Sequence, residues 1–217
     1  MARFTIVIGN KNYSSWSLRG WIALRHCTDD FDEVPILLRK PTTRAQILAH
    51  SPAGKVPTLI DGDRVIWDSL AICEYLAEIF PDAGLWPEDG AARAHARCVS
   101  AEMHAGFVNL RNHMPMNCRA SLPGRGATQA ALTDIARIEA LWDDCRARFG
   151  GGGDFLFGQF TAADAMYAPV ASRLATYQPA LGPTALAYVE AIHGLPAMAD
   201  WIAAARAEPD RLVEMEI

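Results

Sequence analysis

Lys55-Val56-Pro57-Thr58-Leu59-Ile60, Asp61-Gly62-Asp63, then Val65-Ile66-Trp67-Asp68-Ser69-Leu70-Ala71-Ile72: this run carries the most decisive local signals in the chain. Two short segments rich in β-branched residues flank an Asp-Gly pair, which predicts a hairpin. Pro57 opens the first strand, where a missing N–H is tolerated. After Ser69 the apolar residues Ile72, Tyr75, Leu76, Ile79 and Phe80 fall at i, i+3, i+4, i+7 and i+8. That spacing predicts one buried face of a helix, which Pro81 closes. The start of this helix presents free N–H groups beside a hydroxyl and a carboxylate. Such an arrangement suits the end of an amino-acid-like ligand: the amides and Ser69 would hold a carboxylate, and Asp68 an ammonium.

Working outward, Phe4 to Ile8 reads as a strand, Ser17 to His26 as a helix, Val34 to Leu38 as a strand and Thr42 to His50 as a short helix. With the hairpin and its helix the order is β-α-β-α-β-β-α. A helical crossover implies a parallel first pair, and the hairpin an antiparallel one. From Pro81 to Asp89 the chain is rich in Pro, Gly and Asp, which suits a linker. Beyond it strand signals vanish. Ala91 to Asn117 forms one long helical pattern and Leu132 to Phe149 another, followed by shorter helices near Ala162 to Tyr177, Pro183 to His193 and Pro196 to Ala207. The expectation is an α/β unit over residues 1–82 and an all-helical unit over 90–217.

The chain of 217 residues is 51% hydrophobic and 21% charged, with a formal net charge of −5. That is an ordinary globular composition with no bias toward a nucleic-acid partner. No apolar run is long enough to cross a membrane, and the N-terminus leads straight into a strand rather than a signal peptide. Cys27, Cys73, Cys98, Cys118 and Cys145 are odd in number and widely spaced, without zinc-ligand spacing. A cytoplasmic location is expected, and no metal.

The Val56-Pro57 and Asp68-Ser69 pairs, with the helix after them, resemble the cytosolic glutathione transferase family. The element order resembles the thioredoxin-like arrangement of its N-terminal domain. The resemblance implies that Pro57 is cis, that the Val56 backbone pairs with the cysteinyl part of glutathione, and that Asp68 and Ser69 grip its γ-glutamyl end. It implies a homodimer as well. Thr161-Ala162-Ala163-Asp164 matches the S/T-x-x-D box at the start of a central helix in the helical domain of that family. This box is read as structural, with a loss of about 0.5–2 kcal/mol on removing Asp164 if only a cap is lost.

Chemistry is expected in Asn12-Tyr13-Ser14-Ser15-Trp16-Ser17-Leu18-Arg19, between the first strand and first helix. A thiol near pKa 8.5 is mostly protonated at neutral pH, and the thiolate is the nucleophile. Lowering its pKa by about two units takes about 2.7 kcal/mol. One or two hydrogen bonds to a charged sulfur, at about 1.5–3 kcal/mol each, suffice. Ser14-Ser15-Trp16-Ser17-Leu18-Arg19 resembles the S-S-C-S-x-R motif of zeta-class glutathione transferases. By that match Ser14 is the sulfur partner; the hydroxyls of Ser15, Tyr13 and Ser17 are further candidates for that role. Trp16 stands where the zeta motif has cysteine, a departure that counts against a specific maleylacetoacetate isomerase activity. Without a cysteine in this loop, the mixed-disulfide chemistry of omega-like, beta-like and glutaredoxin proteins is disfavoured.

Lys55 and Lys40 are candidates for the glycine carboxylate of glutathione. For the electrophile pocket, His104, Phe107 and Arg111 are candidates, with Arg111 placed to neutralise an acidic substrate. The segment from Glu102-Met103-His104 to Pro115-Met116-Asn117 resembles one in a bacterial branch of the family. The expected activity is attack of an activated glutathione thiol on a small electrophile, by conjugation or glutathione-assisted isomerisation. The competing reading is a noncatalytic binding or assembly module on the same fold.

Overall fold

The computed structural model describes residues 2–216. Four strands, β1 (Phe4–Gly9), β2 (Phe31–Ile36), β3 (Thr58–Asp61) and β4 (Arg64–Ile66), form one sheet in the order β2-β1-β3-β4. β1 pairs parallel with β2 and antiparallel with β3, and β3–β4 is the antiparallel hairpin read from Asp61-Gly62-Asp63. Strand β2 begins three residues before the expected Val34 and contains Pro35. An edge strand tolerates that proline, because one of its sides needs no ladder donor.

Helix α1 (Ser15–Cys27) crosses from β1 to β2, α2 (Thr43–Leu48) precedes the hairpin, and α3 (Ser69–Ile79) follows it. In α1 Leu18, Ile22 and Leu24 are almost fully buried; each contributes about 1.5–3 kcal/mol of transfer free energy. Gly20 permits the close approach beneath the site. A Cβ there would lie 3.1 Å from the Pro57 ring and 3.4 Å from Ile72.

The remaining helices are α4 (Gly90–Ala105), α5 (Val108–His113), α6 (Gln129–Phe149), α7 (Ala162–Tyr177), α8 (Pro183–His193) and α9 (Pro196–Ala207). The single helix expected over 91–117 is therefore two. Gly106 ends α4, and Phe107 takes a left-handed conformation with φ 59°. A side chain at Gly106 would meet the Glu102 carbonyl at 2.8 Å. Apolar periodicity continues through the break, since Met103, Phe107, Leu110 and Met114 are all buried, so the pattern hides it. Helix α7 runs through the centre, nearly every residue buried, and packs on α1, α4 and α8. Among the described residues, no helix is long and apolar enough to cross a membrane.

Candidate active site

The Val56-Pro57 peptide is cis. Pro57 lines a cleft of 620 Å³ together with Lys55, Val56, Asp68, Ser69, Trp16 and His104, among others. At the mouth of α3, Asp68 is the N-cap, and its Oδ1 accepts from the amides of Leu70 (3.1 Å) and Ala71 (3.5 Å). Its Oδ2 pairs with His104 Nε2 at 3.0 Å. Ser69 is fully buried, yet its hydroxyl has no hydrogen-bond partner among the described residues. A buried hydroxyl without a partner costs free energy that a ligand acceptor would recover.

A second cavity, of 290 Å³, adjoins the first and shares Trp16, Leu38 and Val56 with it. Ser14 and Ser15 line this second space, with Arg39, Arg111, Arg173, Leu212 and Met215. Ser14 caps α1: its Oγ accepts from Ser17 N at 3.4 Å, and its hydroxyl donates to Ser17 Oγ at 2.8 Å. Ser17 Oγ also accepts from Gly9 N at 3.0 Å. With an anion at the helix N-terminus the pair can reverse, Ser17 donating to Ser14 and Ser14 to the anion; each bond polarises the next. Ser15 Oγ accepts from Arg173 Nη2 at 3.2 Å, which leaves its own proton free.

The hydroxyls of Tyr13, which also lines the smaller cavity, and of Ser17 are committed to protein partners. The Tyr13 hydroxyl accepts from Arg119 (2.9 Å) and the Leu212 amide (3.2 Å) and donates to Glu216. Ser17 is wholly buried behind Ser14.

Three arginines gather here. Arg173 Nε donates to the Met114 carbonyl at 2.9 Å, and burial together with Arg111 pushes its pKa down to about 10. Arg111 donates to the carbonyls of Met103, His104 and Gly106, tying the end of α4 to α5. Arg19 is wholly buried, with Nε on the Met166 carbonyl and neither terminal nitrogen hydrogen-bonded among the described residues. Burial, and then the charges of Arg111 and Arg173, push its pKa well below the usual value.

Three residues thus depart from their expected places, and one structural motif does more than expected. Lys40 pairs with Asp210 at 2.8 Å, and lines neither cavity. Phe107 is in the core, because the left-handed turn at the α4–α5 break carries it away from both spaces. His104 lines the larger cleft and not the smaller cavity that Arg111 lines, although the two meet through the His104 carbonyl. The Thr161–Asp164 box does more than cap: Asp164 accepts from Leu156 N, Thr161 N, Thr161 Oγ and Tyr188 Oη at 2.8–3.1 Å.

Sequence reading missed Arg173, Arg39, Leu212 and Met215. A signal existed for Arg173, a lone cation in the apolar run of α7, which burial obliges to find partners. None existed for the C-terminal residues, which reach the site only through tertiary folding.

This is a thioredoxin-like sheet domain joined to a helical domain, with a cis-proline cleft between them. Residues 13–79 match the glutathione S-transferase N-terminal domain family, and residues 125–204 match the glutathione S-transferase C-terminal domain family. The chain belongs to the glutathione transferase family. A probable maleylacetoacetate isomerase of Caenorhabditis elegans is 29% identical over 70% of this chain and 72% of its own length. Maleylacetoacetate isomerase of Rhizobium meliloti is 44% identical over 40% of this chain and 41% of its own. A Burkholderia glutathione transferase homolog, solved with bound glutathione, superposes with a TM-score of 0.71. It is 23% identical, covering 94% of this chain and 99% of that one.

Proposed function

We propose that the protein is a zeta-like glutathione transferase that binds glutathione in the larger cleft and presents its thiol to an anionic electrophile in the smaller cavity. The observation that carries this reading is Ser69, whose buried, unpartnered hydroxyl lines the cleft beside Asp68 and the cis Val56-Pro57 peptide. Exposed Lys55, on the same wall, supplies a cation for the glycine carboxylate.

When bound, glutathione supplies the nucleophilic sulfur. Ser14, at the positive end of α1, donates to the thiolate, and the Gly9–Ser17–Ser14 chain supports that donor. Arg111 and Arg173 hold the negative charge of the electrophile, while Arg39 on the same wall is paired with Glu214 at 3.5 Å, and among the described residues no carboxylate side chain lines that cavity. Residues 1–82 serve as the glutathione-binding domain and 90–217 as the helical domain of a homodimer. Five unpaired cysteines suit a reducing cytoplasm.

The relatives named as maleylacetoacetate isomerases favour isomerisation of that acid. Incubation with maleylacetoacetate and substoichiometric glutathione distinguishes the modes: isomerisation turns over without consuming glutathione, while conjugation stops after one equivalent. Calorimetric titration of glutathione tests the site itself, and absence of binding to the wild type would overturn the assignment.

A further inference from the structure

Trp16 replaces the small residue of the matching motif with the largest side chain available, at a position that, like Leu38 and Val56, lines both cavities. Around its indole lie three cationic or polarisable groups. Arg19 Cζ is 4.3 Å from the ring centroid, Arg111 Cζ is 4.5 Å from it, and His104 meets it edge-on at 5.2 Å. Two guanidinium groups of like charge in a half-dry site repel each other. A ring whose negative π density faces cations offsets part of that cost. For Arg19 this contact matters more than usual, because its terminal nitrogens have no hydrogen-bond partner among the described residues.

The consequence for Arg111 is positional. Its carbonyl partners, Met103, His104 and Gly106, all belong to the helical domain, whereas Trp16 stands in the first turn of α1, next to Ser15 in the sheet domain. The indole is thus the contact that refers the Arg111 guanidinium to the frame of Ser14 and Ser15.

We infer that Trp16 is a positioning residue for electrophile selectivity: by holding Arg111 at the wall of the smaller cavity, it sets the preference for negatively charged over neutral electrophiles. This rests on the glutathione transferase reading above. The selectivity it sets is separate from glutathione affinity, which Ser69 and its neighbours govern.

The test uses two electrophiles of the same reaction, 4-chloro-3,5-dinitrobenzoate and neutral 1-chloro-2,4-dinitrobenzene. In each the glutathione sulfur forms a C–S bond, chloride leaves with the C–Cl electron pair, and the thiol proton goes to solvent. The readout is the ratio of kcat/KM for the anionic to the neutral substrate, so general changes in folding or cleft size largely cancel. Trp16→Leu should lower this ratio about tenfold, through KM of the anionic substrate, and Trp16→Phe should restore most of it. In an Arg111→Met background, Trp16→Leu should change the ratio no further, since coupled residues are non-additive.

Should Trp16→Leu destabilise the chain, Trp16→Phe and the Arg111→Met pair still read the ratio. Equal ratios in wild type and Trp16→Leu, with glutathione binding intact, would overturn the inference alone. So would additive effects in the double variant, or a wild type without anionic preference. Loss of glutathione binding by the wild type would instead remove the reading on which it stands.

Discussion

Helices α3 and α7 both begin on a carboxylate and a hydroxyl, Asp68-Ser69 in one and Thr161 with Asp164 in the other. In α7 the groups satisfy one another: Asp164 accepts from two amides and two hydroxyls, and all of it is buried. In α3, Asp68 caps the helix and meets His104, while the Ser69 hydroxyl is left without a partner in a cleft wall. Local chemistry is nearly the same, and the bookkeeping of hydrogen bonds separates a satisfied structural joint from a cleft wall with a hydroxyl to spare. A satisfied network rigidifies, whereas an unsatisfied group is held ready at a cost.

The largest effect that would break this contrast is at Asp164. Asp164→Ala strands four donors, so unfolding in urea should show a loss of about 3 kcal/mol or more. That exceeds the cap-only expectation, because Leu156 and Tyr188 depend on the same carboxylate. The folded fraction should bind glutathione with unchanged affinity; a specific loss of affinity would blur the distinction.

Ser14→Ala comes next. Ultraviolet absorbance of the thiolate should show the bound glutathione thiol raised by about one to two pKa units, the worth of one hydrogen bond to a charged sulfur. Ser15→Ala should shift it less, since its oxygen is tied to Arg173.

At Ser69 the expected sign of the stability change is opposite to that at Asp164. Ser69→Ala should weaken glutathione about tenfold by calorimetry, while thermal stability holds or rises slightly, because an unsatisfied buried hydroxyl has gone. A stability loss comparable to Asp164→Ala would mean that Ser69 is structural after all.

The smallest signal extends the comparison to sulfur. Burial raises the Cys27, Cys73 and Cys145 thiols to about 12, and raises Cys118 as well. A raised thiol pKa favours the protonated, unreactive form, so at pH 8 iodoacetamide should modify Cys98, the exposed cysteine, and spare those four. Mass spectrometry of the native protein reads the outcome directly.

Much of the fold was legible because its signals are local. The Asp-Gly hairpin, the apolar stripe after Ser69 and the Pro starts of α8 and α9 each depend on a few neighbouring residues, and the structure bears them out. The break at Gly106 was not legible, because Met103, Phe107, Leu110 and Met114 keep a helical period across it and tertiary packing buries all four either way. The place of Lys40 was hidden for a related reason. Its partner, Asp210, lies 170 residues away in sequence, and no local pattern announces such a pair.

By itself the sequence determined the class of fold and the polar groups of the cis-proline cleft, since strands, turns, caps and helix N-termini are set by short-range sterics and hydrogen bonding. Tertiary structure decided which of those polar groups stay unsatisfied, which arginines converge on the second cavity, and that Trp16 meets both Arg19 and Arg111. Burial and partnership are properties of contacts between distant segments, and chain order does not carry them.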